Sequence, residues 1–87
     1  MQFFVYILRT SSNTLYVGQT NNLQKRLKEH ASKKKQGAKY LRLFASFELV
    51  YTETYHSRTE AMQREYHLKQ LSKMQKESLI AKKESRT

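Results

Sequence analysis

The chain has 87 residues with no cysteine and no proline, and its 17 Lys and Arg against 7 Asp and Glu give a formal net charge of +10. That length fits one domain, residues 1–87, with a core over about 3–80 and a basic tail at 81–87 that frays. Without cysteine there are no disulfide partners and no thiolate zinc or redox site, and the apolar run from Phe3 to Leu8, interrupted by Arg9, is too short for a membrane span and lacks the basic lead of a signal peptide.

Residues 3–9 (FFVYILR) are aromatic and β-branched and too few for a solitary helix, which predicts a strand buried on both faces. Thr10-Ser11-Ser12-Asn13 is a polar turn, and residues 14–18 (TLYVG) form a second strand, closing an antiparallel hairpin that ends at Gly18. Glycine there allows a close backbone approach or an unusual φ. Thr20, Asn21 and Asn22 offer capping oxygens to a helix from about Leu23 to Lys33, with Asn22 read as a cap rather than a catalytic group. Leu23, Leu27 and Ala31 make its apolar stripe, Arg26 and His30 run along one edge, and Lys25, Lys28 and Ser32 point away. After Gly37, residues 38–43 predict a short helical turn. Residues 47–55 (FELVYTETY) predict a third strand, Ser57 or Thr59 starts a helix to Gln70, and Ser72 starts a last one to about Ala81. The order predicts a small α+β domain, a three-stranded antiparallel sheet packed by helices.

The positive charge is concentrated. Lys25, Lys28, Lys33, Lys34, Lys35, Lys39 and Arg42 lie in one stretch with Arg26, opposed only by Glu29. Such a patch suits a phosphate backbone, so the expected partner is nucleic acid, with no membrane and with the oligomeric state open. A solvated basic surface is the plain alternative. The expected location is the cytoplasm.

Three further features bear on chemistry. Ala61, Met62, Tyr66, Leu68 and Leu71 mark an apolar arc on the 58–70 helix, and Glu65 projects close to its middle. A carboxylate on a buried face is either paired or metal-binding, and Lys69 is the nearby candidate partner. Tyr6 and Tyr16 meet across the hairpin, although a strand tyrosine alone reads as core packing. Arg26 and His30 share a helical face, so both can address one phosphate, or form a solvated edge.

These residues fall in a recognisable order. Phe4-Val5-Tyr6 followed by Tyr16-Val17-Gly18 resembles the paired motifs that name the GIY-YIG nuclease superfamily. The likeness continues through GQTNNLQKRLKEH (Gly18 to His30) and AMQREYHLKQLSKMQKESLI, where Glu65 takes the place of the metal-binding glutamate. GAKYLR and KQLSKMQKESL are similar to the small single-domain bacterial members. The sequence departs from the pattern at Phe4, where the motif has Gly, and in carrying Val for Ile in both motifs.

The resemblance implies a metal-dependent endonuclease that hydrolyses phosphodiester bonds, with DNA ahead of RNA. It implies one Mg²⁺ or Mn²⁺ held by Glu65, a phosphate clamp at Arg26, a general base at Tyr6, a positioning hydroxyl at Tyr16, and His30 orienting Tyr6 or relaying its proton. Two other readings compete: a non-catalytic nucleic-acid-binding module that retains the fold, and a basic protein-interaction domain.

Overall fold

The structure, a computed structural model, describes residues 2–32 and 46–84. In chain order these form β1 (Phe3–Thr10), β2 (Leu15–Thr20), α1 (Leu23–Ser32), β3 (Phe47–Tyr55), α2 (Arg58–Gln70) and α3 (Lys73–Glu84). The expected helical turn at 38–43 lies outside the described residues, as do Lys33, Lys34, Lys35, Lys39 and Arg42.

The strands make one antiparallel sheet in the order β2-β1-β3. The sequence of β1 puts it in the centre, because Val5, Tyr6, Ile7 and Leu8 are all buried and need cover on both faces. Alternation along the strand divides them. Val5 and Ile7 join Val17, Ala61, Leu68 and Ile80 in one core, beneath α2 and α3. Tyr6 and Leu8 pack with Tyr16, Leu23, Leu27 and Phe47 on the opposite face, beneath α1. This is the α+β arrangement expected.

The hairpin turns at Asn13, the one non-glycine residue among those described with a left-handed backbone (φ 63°). The Arg9 guanidinium donates to Asn13 Oδ1 at 2.8 Å and to both carboxylate oxygens of Glu77 at 2.7 Å, which ties the hairpin to α3. Strand β2 does not stop at Gly18 but runs on to Thr20, with Gly18 paired to Tyr6 and no positive φ. A bulge interrupts β3: Ile7 pairs with Tyr51 but Leu8 with Leu49, leaving Val50 as the extra residue. Simple alternation therefore fails there, with Val50 and Tyr51 both packed on the α2–α3 core and Leu49 left exposed.

The helix starts follow the capping residues. Asn22 Oδ1 accepts from Lys25 N at 3.1 Å, and Ser57 Oγ from Glu60 N at 3.2 Å. Ser72 and Gln75 cap one another, Ser72 Oγ accepting from Gln75 N while Gln75 Oε1 accepts from Ser72 N. Helix α3 then runs past Ala81 to Glu84.

The apolar arc assigned to α2 needs correction. Ala61 and Leu68 are buried and Leu71 packs beside them, but Met62 and Tyr66 are 49% and 64% exposed. At about 100° per residue those two lie 100° or more round the helix from Ala61, beyond what a sheet can cover. Glu65 accordingly sits on the shoulder of the buried line, about 40° from Ala61, and not at its middle.

One polar cluster pins α2 to β3. The Glu53 carboxylate accepts from Arg64 Nε at 2.8 Å and Nη2 at 3.0 Å, from the Tyr55 hydroxyl at 2.5 Å, and from the Tyr51 hydroxyl. Burial opposes ionisation of Glu53, but the bonds from Arg64, Tyr51 and Tyr55 outweigh it and hold the carboxyl below its ordinary value. A depressed carboxyl value contributes stability that is full above the ordinary Glu value and is lost as pH falls through the lower one. Arg64→Ala is expected to cost about 1–2 kcal/mol near neutral pH, with the loss shrinking in acid; urea denaturation across pH measures both.

Candidate active site

The site begins with a missing side chain. Gly18 faces Tyr6 across the β1–β2 ladder, and a Cβ built on it would lie 2.5 Å from the Tyr6 hydroxyl oxygen and 2.6 Å from Cζ. The Tyr6 ring therefore lies over the Gly18 backbone, which explains why glycine stands in the second motif. The requirement is close approach, not unusual φ.

Helix α1 closes over this ring. Leu23 and Leu27 anchor it on the Tyr6–Leu8 face, and the next positions round the helix bring Arg26 and His30 inward one turn apart. His30 is 1% exposed, and its Nε2 lies 3.1 Å from the Tyr6 hydroxyl. Its ring is also held edge-on by Tyr16 at 5.8 Å and by Phe47 at 6.0 Å between centroids. Arg26 acts on the Tyr6 hydroxyl, favouring its ionised form, and pairs with Glu29 at 3.3 Å.

The electrostatics follow from burial. Burial pushes the Tyr6 hydroxyl up to about 12, against the opposing pull of Arg26 and with small further pushes from Tyr16 and Glu65. Burial first, then the Arg26 charge, lowers His30 below the ordinary imidazole value, with Glu29 pulling the other way. His30 thus favours the neutral form near pH 7, and in the matching tautomer its Nε2 accepts the Tyr6 hydroxyl proton. At Tyr6, desolvation exceeds the help from Arg26.

Glu65 comes from α2, on the far side of the sheet from α1. Its side chain is 23% exposed and its Oε2 lies 3.2 Å from Lys69 Nζ, the pairing that the i, i+4 spacing allows. Its charge adds the smallest of the upward pushes on Tyr6. Of the predicted nucleic-acid contacts, Lys25 and Lys28 are exposed on α1.

Among the described residues no three His, Asp or Glu converge, so the donor set is not that of a closed metal cage. It fits an ion that keeps most of its water and takes one carboxylate plus substrate oxygen, as Mg²⁺ commonly does. Glu65 suits that role, because its partner Lys69 is a half-exposed ammonium at its edge. Sequence reasoning missed Phe47 as a wall for His30; the only hint was an aromatic residue opening the third strand.

The domain thus sets tyrosines on two adjacent strands of one antiparallel sheet, an Arg–His helix over one of them, and a glutamate on a later helix. The GIY-YIG catalytic domain profile matches residues 2–78, and the chain belongs to the GIY-YIG family. Within it, the chain is 47% identical to a UPF0213 protein of Oceanobacillus iheyensis over 91% of this chain and 90% of that one. A UPF0213 protein of Natronomonas pharaonis is 45% identical over 90% and 89%, so the likeness is not confined to bacteria. The solution structure of a UPF0213 protein from Bacillus halodurans is 42% identical with a TM-score of 0.60, covering 93% of this chain and 84% of that one. The names of these relatives assign no activity. No helix among the described residues is long and apolar enough to cross a membrane.

Proposed function

We propose that the chain is an endonuclease that hydrolyses phosphodiester bonds in nucleic acid, DNA ahead of RNA, with one Mg²⁺ or Mn²⁺ held by Glu65. The observation that carries the reading is the buried Tyr6–His30 hydrogen bond, with the Arg26 charge favouring ionisation of the same hydroxyl.

Tyr6 serves as the general base by relay. It takes a proton from the attacking water as its own proton passes to His30 Nε2, so a free phenolate never has to form at neutral pH. Arg26 stabilises the negative charge that grows on Tyr6 and on the phosphate oxygens. Tyr16 holds the His30 ring edge-on and so fixes the direction in which Nε2 accepts. Bound at Glu65, the ion would neutralise the scissile phosphate and the leaving oxygen. Lys25, Lys28 and the basic stretch containing Lys33, Lys34, Lys35, Lys39 and Arg42 supply the field that gathers the substrate.

Glu65→Gln tests the reading against a module that only binds. Cleavage of a mixed DNA and RNA panel in Mg²⁺ or Mn²⁺ is expected to fall by about a thousandfold, with affinity for uncleaved nucleic acid within about twofold. Retained cleavage with lost affinity overturns the assignment, and salt-sensitive binding without any cleavage favours the non-catalytic module.

A further inference from the structure

A polar cleft lies beside this site and is not used by the mechanism. Gln19, Thr20 and Asn21 from the end of β2, Phe3 from the start of β1 and Arg58 from the start of α2 line it. Three separate elements thus converge on one small concavity. Arg58 and Asn21 are exposed, and among the described residues no carboxylate or carbonyl engages the Arg58 guanidinium. That sets it apart from Arg9, Arg26 and Arg64, each of which holds a glutamate.

The cleft is continuous with the candidate active site in two directions. Along β2, Gln19 follows Gly18, the residue beneath the Tyr6 ring. Along α2, Arg58 and Glu65 are seven residues apart, which is two helical turns, the same flank of the helix and about 10.5 Å of axial rise. The donors suit a phosphate: a guanidinium fork for two oxygens, with the amides of Gln19 and Asn21 beside it. The α1 lysines nearby add to the positive field.

We infer that the Arg58–Gln19–Asn21 cleft binds a non-scissile backbone phosphate of the nucleic-acid strand and sets its path across Gly18 to Glu65. The inference rests on the nucleic-acid reading above and adds a named anchoring subsite to it.

The test is a binding measurement in the Glu65→Gln background, so that cleavage plays no part. Fluorescein-labelled single-stranded and duplex DNA are titrated by anisotropy over a range of salt. Arg58→Ala is expected to weaken binding about tenfold at low salt and to reduce the salt slope by about one phosphate contact. Lys82→Ala removes the same charge from α3, which packs on β3 at the opposite edge of the sheet, and is expected to weaken binding only about twofold through the general field. Arg58→Lys is expected to keep the slope but lose about threefold in affinity, because it keeps the charge and not the fork. Equal effects of Arg58→Ala and Lys82→Ala, or no effect of Arg58→Ala, overturn the subsite while leaving the nucleic-acid reading in place. Absence of salt-sensitive binding by the parent protein overturns both.

Discussion

Tyr6→Phe is expected to lower the cleavage rate by about a thousandfold while the chain stays folded. The substitution keeps the ring over Gly18 and the contacts with Leu23 and Leu27, and removes only the hydroxyl. His30 Nε2 then loses its partner at 3.1 Å, a cost of about 1 kcal/mol to stability. What disappears is the route for the water proton. A pH profile separates this role from a packing role. In the wild type the rate should decline in acid as pH falls through the lowered His30 value, because a protonated imidazole cannot accept from Tyr6. The residual rate of Tyr6→Phe should lack that acid limb. Stability has the same sign: with His30 depressed by burial, its contribution is full above the ordinary imidazole value and drains away as pH falls through the lower one.

Gly18→Ala is expected to cost about 2–3 kcal/mol and to reduce cleavage about as much as loss of the Tyr6 hydroxyl. The new methyl would sit 2.5 Å from the Tyr6 hydroxyl oxygen, far inside contact distance. Tyr6 cannot retreat, since it is 1% exposed and its hydroxyl is bonded to His30. Either the ring swings out of its hydrogen bond or β2 moves away from β1. Denaturant unfolding and the cleavage rate together measure the effect; a variant of native stability and full rate would mean that the ring does not rest on Gly18.

Much of the fold was legible because several local signals agreed. The apolar run of β1 demanded a central strand, the polar turn gave the hairpin, and Asn22, Ser57 and Ser72 marked three helix starts that the structure places within a residue or so. The site residues were legible as an ordered motif set, and Tyr6, Tyr16, Arg26 and His30 do come together on one face. Glu65 was less so. A helical projection treats every apolar residue as buried, so Met62 and Tyr66 dragged the expected arc away from the sheet. The direction of the Tyr6 shift was also out of reach, because it depends on how completely Leu23, Leu27, His30 and Phe47 exclude water. The Val50 bulge left no mark in composition, and the Arg64–Glu53 clamp joins residues from separate elements.

The account stands or falls on whether Glu65 and the groups beneath α1 serve one centre. The most direct measurement is an NMR titration with Mn²⁺, following the ring signals of tyrosine and histidine in wild type and Glu65→Gln. Weak binding suffices, since paramagnetic broadening reports the fraction bound. The account predicts that Tyr6, Tyr16 and His30 broaden ahead of Tyr51 and Tyr55, and that Glu65→Gln abolishes this preference. Uniform broadening, or a preference that survives Glu65→Gln, would contradict it.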